Sequence, residues 1–298
     1  MSGTFVAAAS VEDAVRALAG GARPVAGGTD LVVGARQGKR ALPDDLVAIH
    51  AIDALRGIED VDGGLRLGAL VTHEELVAHP VVRERFTALA DACGIVGSHA
   101  TRAQGTVGGN LMNASPAMET GGPLLCFGAT VTLASEQGTR QLPLDELFAG
   151  PGETTARADE LLTAVELPEP APATGSCYVR LEYRRQMEIA VVGVTAVVTL
   201  RDGKVADARI ALTALAPTVR RAPEAEAALV AGDVEAAAQA AAAASAPISD
   251  VRASEDYRRA MAAVIARRAI EAALARARGE EVPIPASPAL HGAERRTA

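Results

Sequence analysis

Two glycine pairs, set far apart in the chain, stand in similar surroundings: Val25-Ala26-Gly27-Gly28-Thr29-Asp30-Leu31-Val32 and Gly105-Thr106-Val107-Gly108-Gly109-Asn110-Leu111. Each joins an apolar stretch to small polar residues. A backbone free of Cβ atoms can come close to a ligand and aim its N–H groups at phosphate oxygens. The first pair follows a predicted strand, Pro24-Val25-Ala26, and leads into Thr29 and Asp30 as a helix start. Amide donors, a hydroxyl and a helix N-terminus therefore converge, which favours an anion. Neither pair fits G-x-x-x-x-G-K-S/T or G-x-G-x-x-G, so a P-loop and a Rossmann fingerprint are both excluded. Read alone, either pair is an ordinary tight turn. The second stretch is richer: from Gly105 to Ala117 it holds three glycines, two asparagines, Thr106 and Ser115. A hydrophobic core has no use for so much polar, permissive backbone, whereas a buried diphosphate does.

Composition narrows the class. The chain has 298 residues, enough for two or three domains with a substantial core. It is 49% hydrophobic with a formal charge of −8, which excludes general disorder and gives no basic footprint for nucleic acid. Only three cysteines occur, Cys93, Cys126 and Cys177, with no C-x-x-C pair, so neither an iron–sulfur cluster nor a structural zinc site is expected in this chain. The first residues carry no basic region or long apolar run, and no run approaches the roughly 20 residues of a membrane span. A soluble, cytoplasmic protein is expected.

The pattern divides the chain at about residues 57 and 170. Residues 1–57 read as a small β-α-β unit, with Ser10 as N-cap and Val11, Ala14, Val15 and Leu18 at helical spacing. Residues 58–170 begin with a hairpin turning at Asp62-Gly63-Gly64, followed by a capping box at Thr72-His73-Glu74-Glu75 and a helix from Val81 to Cys93. Strands follow over 130–134 and 161–167. The linker Pro168-Glu169-Pro170-Ala171-Pro172-Ala173 leads to a third unit, 176–285, with three strands and then helices. On its last long helix Tyr257, Met261, Val264, Ile265, Ala269 and Ala272 form the expected buried face. Residues 286–298 are expected as a loose tail.

The two glycine loops resemble the paired A-G-G-T-D-L and T-I-G-G-N-L-x-N-A-S-P signatures of the flavoprotein (medium) subunit of molybdenum hydroxylases, the xanthine dehydrogenase and carbon monoxide dehydrogenase group. The similarity continues through Gly64 to Glu75, Leu142-Pro143-Leu144, Gly150-Pro151-Gly152, Asp159 to Leu162, and Ile248 to Ser254 with Tyr257-Arg258. It implies an α+β architecture: a two-subdomain FAD-binding fold of the vanillyl-alcohol oxidase-like (PCMH) type, plus a C-terminal antiparallel sheet with helices. It also implies FAD in this chain, molybdopterin on a large partner subunit and two [2Fe–2S] clusters on a small one, in a dimer of heterotrimers. Electrons would pass through the clusters to FAD and on to NAD, a quinone or another acceptor. No residue of this chain would be catalytic toward the organic substrate, and none would hold a metal.

By the same resemblance, Val25, Ala26, Gly27, Gly28, Thr29, Asp30, Leu31 and Val32 would line the adenine and diphosphate side. Thr106, Val107, Gly108, Gly109 and Asn110 would clamp the diphosphate from the second subdomain, with Ser115 and Glu119 following along the cofactor. Leu162 would pack near the flavin end, and Arg180 would stand where a basic residue meets the isoalloxazine, its charge stabilising an anionic reduced form. The sequence departs from the family at Thr101-Arg102-Ala103-Gln104, where Arg-Asn is frequent, and at Glu119 and Glu188, where Asp is frequent. Thr29-Asp30 and Asn110 differ from the A-G-G-H-S and T-I-G-G-S of the carbon monoxide type, which disfavours that substrate. A stand-alone flavin reductase of related fold, similar to the enolpyruvyl-sugar reductases, and a non-enzymatic assembly subunit are the alternatives. The histidines His50, His73, His79, His99 and His291 have no ligand spacing and read as surface or capping residues, Tyr183 reads as core, and Arg184-Arg185 as a solvated or interface pair.

Overall fold

A computed structural model describes residues 3–38, 41–61, 63–184 and 186–292. The first unit contains β1 (Phe5–Ala7), α1 (Val11–Ala19), β2 (Arg23–Val25), α2 (Thr29–Arg36) and β3 (Leu46–Ala48). Its strands form a parallel sheet in the order β1-β3-β2. Ser10 caps α1 by accepting from the Asp13 N–H at 3.1 Å, and Ala14, Val15 and Leu18 are buried on the inner face. By contrast, α2 buries none of its residues. The second glycine pair and its neighbours belong to the next unit.

That unit comprises β4 (Ile58–Val61), β5 (Gly64–Gly68), α3 (His73–Ala78), α4 (Pro80–Arg85), α5 (Thr87–Ile95), α6 (His99–Arg102), α7 (Val107–Asn113), α8 (Gly121–Cys126), β6 (Thr130–Ser135), β7 (Gly138–Pro143), β8 (Phe148–Gly150), β9 (Glu153–Thr154) and β10 (Leu161–Pro168). An antiparallel sheet runs β4-β5-β10-β6-β7. The capping box forms as expected: Glu75 N–H donates to Thr72 Oγ1 at 3.2 Å, and Thr72 N–H to Glu75 Oε2 at 2.7 Å. The helix expected over 81–93 is broken. Phe86, at φ −122° and ψ 46°, separates α4 from α5 and turns its ring onto Phe127, centroids 4.9 Å apart. Burying that ring wins over helix continuity. Asp62, part of the expected hairpin turn, lies outside the described residues.

The third unit holds β11 (Thr174–Leu181), β12 (Val192–Arg201), β13 (Lys204–Thr213), β14 (Arg220–Arg221), α9 (Pro223–Val230), α10 (Val234–Ala243), α11 (Glu255–Ala277) and α12 (Ala286–Gly292), with the strands antiparallel in chain order. The sheet is covered on both faces. Cys177 and Val179 point into the helical layer of α9 to α11, while Tyr178 packs into the core of the second unit; successive residues of β11 take opposite sides because the strand period is two. The buried face of α11 includes Ile265, Ala269 and Ala272 as expected, but Met261 and Val264 are only partly buried and the face turns toward Arg258. Arg258, Ala262, Ala266 and Ala269 are inside, whereas Tyr257 is 42% exposed. Arg258 decides this rotation by donating to Asp250 at 2.6 Å and to the Val191 carbonyl at 2.9 Å. The stretch expected as a loose tail begins instead with α12, where Ala286 and Ser287 are fully buried.

As an edge strand, β11 exposes backbone polar groups that need partners. Side chains supply them. Asp91 of α5 accepts from Tyr178 N–H at 3.2 Å, Ser287 Oγ accepts from Arg180 N–H at 2.9 Å, and His291 Nε2 meets the Arg180 carbonyl at 2.7 Å. Arg276 of α11 binds Asp91 through both terminal nitrogens, at 2.6 and 3.0 Å. These contacts fix the third unit against the second and set the position of Arg180. No helix among the described residues is long and apolar enough to cross a membrane.

Candidate functional site

The two glycine loops meet. A Cβ on Gly27 would collide with the Gln104 carbonyl, so only glycine allows the first loop to lie against the backbone that enters the second. From the other side, a Cβ on Gly105 would stand 3.5 Å from Thr29 Oγ1 and 3.2 Å from the ring of His73. Gly28 takes φ +68° and serves as N-cap of α2, a left-handed conformation that disfavours other residues. Val25, Ala26, Gly27, Gly28, Thr29, Asp30, Leu31 and Val32 thus form one continuous wall. Val32 and Val33 are 44% and 48% exposed on a helix that the chain leaves uncovered.

The loops differ at their helix starts. No side chain caps α2, and the Gly28 backbone forms its N-terminus. In the second loop, every N–H from Val107 to Asn110 donates within the chain. Val107 N–H reaches the Val71 carbonyl at 2.9 Å, Gly108 N–H the Ala69 carbonyl at 3.0 Å, Gly109 N–H Thr106 Oγ1 at 3.1 Å and Asn110 N–H the Thr106 carbonyl at 2.9 Å. The expectation that both loops direct amides at a phosphate is therefore corrected for these four groups. Gly108 is buried, and a Cβ there would lie 2.7 Å from the Ala69 carbonyl; Gly109 is exposed, with only Thr106 Oγ1 near, at 3.0 Å. One glycine closes the fold and the other opens a surface.

Asn110 accepts from Thr120 Oγ1 at 2.5 Å, which fixes the amide plane and turns its NH2 elsewhere. Ser115 Oγ accepts from Ala117 N–H at 3.2 Å in the turn after α7. The same segment then delivers Glu119, 7% exposed, to Arg180 on β11, with Nη1 to Oε1 at 2.5 Å. Arg180 is completely buried; its Nε donates to Glu182 Oε2 at 2.6 Å, and its Nη2 has no partner. Leu162 is placed differently from the rest. Its side chain lies in the core of the second unit, one residue before Thr163, whose carbonyl accepts from Ala69 N–H at 3.0 Å. Sequence reasoning missed Glu182 and Thr120. For Glu182 a signal existed, since it shares strand parity with Tyr178 and Arg180.

His73 is not a surface residue. It is 2% exposed behind the second loop, its backbone N–H donating to the Gly105 carbonyl at 3.1 Å, and burial with Arg102 nearby lowers its pKa to about 4. Tyr183, expected as core, is 63% exposed, its hydroxyl donating to the Arg252 carbonyl at 2.5 Å. Arg184 is exposed, and Arg185 lies outside the described residues. All three cysteines are buried free thiols whose pKa is pushed up by burial. No cluster suited to a metal ion occurs among the described residues.

A flavin dinucleotide fits these residues on two observations. Gly109 is exposed on the second loop, and α2, which begins at the first, buries none of its residues. Arg180 beyond them is a buried cation that follows Glu119 along the same path, with Nη2 unpartnered within the chain.

Comparison with known proteins agrees. The family described as FAD binding domain in molybdopterin dehydrogenase matches residues 1–170, and the CO dehydrogenase flavoprotein C-terminal domain matches residues 178–273. The carbon monoxide dehydrogenase medium chain of Hydrogenophaga pseudoflava is 32% identical over 241 residues, covering 79% of this chain and 84% of that one. A putative xanthine dehydrogenase FAD-binding subunit of Escherichia coli (strain K12) is 30% identical over 282 residues, covering 92% and 96%. Among solved structures, carbon monoxide dehydrogenase from Hydrogenophaga pseudoflava superposes with a TM-score of 0.89 at 32% identity, covering 93% of this chain and 98% of that chain. Quinoline 2-oxidoreductase from Pseudomonas putida 86 gives 0.86 at 29% identity with the same coverage.

Proposed function

The chain belongs to the flavoprotein (medium) subunits of the molybdenum hydroxylases, as the FAD-binding electron-transfer subunit of a multi-subunit oxidoreductase, and from that premise we propose how its own residues hold and serve the cofactor. FAD, when bound, accepts and releases electrons one or two at a time. The first loop, Val25 to Val32, takes the diphosphate at the uncapped start of α2, beside Thr29. The apolar side chains of Val25, Leu31 and Val32 cover the adenine side. The second loop, Thr106 to Asn110, presents a Cβ-free surface at Gly109 and the Asn110 amide, and its amides stay within its own scaffold. Ser115 and Glu119 follow the ribityl chain toward Arg180, which lies enclosed behind the flavin end. Leu162 supports the site from the core behind Ala69.

The observation that carries this reading is the contact of Gly27 with the Gln104–Gly105 backbone, which makes one cradle from two subdomains. We further propose that the large molybdenum subunit hydroxylates the substrate, that a small subunit passes electrons through two [2Fe–2S] clusters to this chain, and that NAD, a quinone or another carrier takes them. A cytoplasmic dimer of heterotrimers completes the proposal; three free buried thiols and the absence of any membrane-crossing helix among the described residues are consistent with that compartment.

The test is to purify the chain alone and with its partners. We expect a yellow protein that retains FAD and shows no turnover until both partners are added. Turnover by the isolated chain, or rejection of added FAD, sinks the reading.

A further inference from the structure

Arg180 is the largest fully buried side chain among the described residues, and its charge is not free. Glu182 and Glu119 grip it from two sides, at 2.6 and 2.5 Å, and their side chains are only 6% and 9% exposed. Nη1 also reaches the Glu188 carbonyl at 3.3 Å, leaving Nη2 as the one terminal nitrogen without a partner. With both carboxylates ionised the trio carries a charge of −1; with one of them protonated it carries zero. In neither state is there a net cation. Resemblance to the family directs attention to the arginine alone, but the geometry adds two acids.

We infer that Glu182 cancels the charge of Arg180 and, with Glu119, holds the guanidinium enclosed behind the flavin site, so that the trio presents no net positive charge to the flavin. The inference rests on the placement of FAD proposed above. Two electrons from the iron–sulfur partner reach the isoalloxazine with either one proton, which leaves a negative charge there, or two protons from solvent, which leave none. The clusters are oxidised and the flavin is reduced in both cases. A site without net positive charge favours the two-proton outcome, and the acids disfavour electron arrival relative to a bare arginine.

The surrounding groups do not supply the missing cation. Tyr178, on the same face of β11, is fully buried with its phenol pKa pushed well up, so it stays neutral. Arg184, 67% exposed, faces Glu188 at 3.5 Å. His291 meets the Arg180 backbone carbonyl and has Arg268 at 2.8 Å on its other nitrogen, and Cys93 of α5 stays a thiol.

The experiment is a spectroelectrochemical titration of the FAD-loaded full chain between pH 6 and 9. At pH 8 we expect the oxidised-to-reduced ratio at fixed potential to change about a hundredfold per pH unit, the signature of two protons per two electrons. About tenfold per unit, one proton, overturns the inference. Glu182→Gln should shift the equilibrium toward reduced flavin at least tenfold, about 30 mV for a two-electron couple, and Glu182→Asp should restore the wild-type value. An unchanged potential in Glu182→Gln beside a shifted one in Arg180→Lys overturns the charge cancellation and leaves the FAD site standing. Unchanged potentials in both, with FAD bound, remove Arg180 from the flavin and overturn the placement itself.

Discussion

At the first glycine loop, Gly28 leads into a helix that buries nothing and has no capping side chain. At the second, Thr106 caps α7 and Gly108 rests against Ala69, with four successive N–H groups satisfied inside the chain. The two share a sequence pattern, yet one begins an uncapped, unburied helix and the other offers shape. Glycine pairs therefore do not have one physical meaning. A pair whose amides are spent on its own scaffold contributes closeness of approach rather than hydrogen bonds.

Substitutions break this contrast most strongly at the buried glycine. Gly108→Val drives a side chain into the Ala69 backbone, and we expect a loss of about 3 kcal/mol or more in urea unfolding, with or without FAD. Acidification should separate the loops next. His73, behind the second loop, has a folded pKa of about 4 against 6.5 unfolded, so the folded state binds fewer protons between those values. Its contribution is complete above pH 6.5 and disappears as pH falls to 4, an overall loss of about 3 kcal/mol. Urea midpoints measured across that window should fall in the wild type and flatten in His73→Phe; parallel slopes would show that the histidine is not the source.

Gly109→Val addresses the open face. FAD affinity should drop at least a hundredfold, about 3 kcal/mol, while the unfolding midpoint of the apoprotein stays within about 1 kcal/mol. A variant that keeps its flavin moves the cofactor away from α7. The smallest effect belongs to the cap: Thr106→Ala should cost about 1 kcal/mol of stability, measured by thermal unfolding, and should weaken FAD less than Gly109→Val does. If the order of those two is reversed, the Thr106 hydroxyl itself is a cofactor ligand.

Much of the scaffold was legible along the chain because its signals are local. Ser10, Thr72 and Ser254 cap the helices they precede, and the alternation of β11 places Tyr178 and Cys177 on opposite faces. Local signals failed where a distant partner had the larger effect. Phe86 broke a predicted helix to reach Phe127, and Arg258, reaching Asp250, took the buried place expected for Tyr257. The tail folded back as α12 because the edge of β11 needed Ser287 and His291.

The site divides in the same way. By itself the sequence determined that two permissive, small-residue loops exist, that a helix starts at the first, and that a basic residue lies on the first strand of the third unit; these depend on neighbours a few positions away. Only the tertiary structure decided that Gly27 lies on Gln104, which amides are already spent, and that Arg180 stands between two acids, one of them 61 residues distant in sequence. Backbone contact and charge balance are sums over whatever the fold brings within a few ångströms, and no local pattern fixes those neighbours.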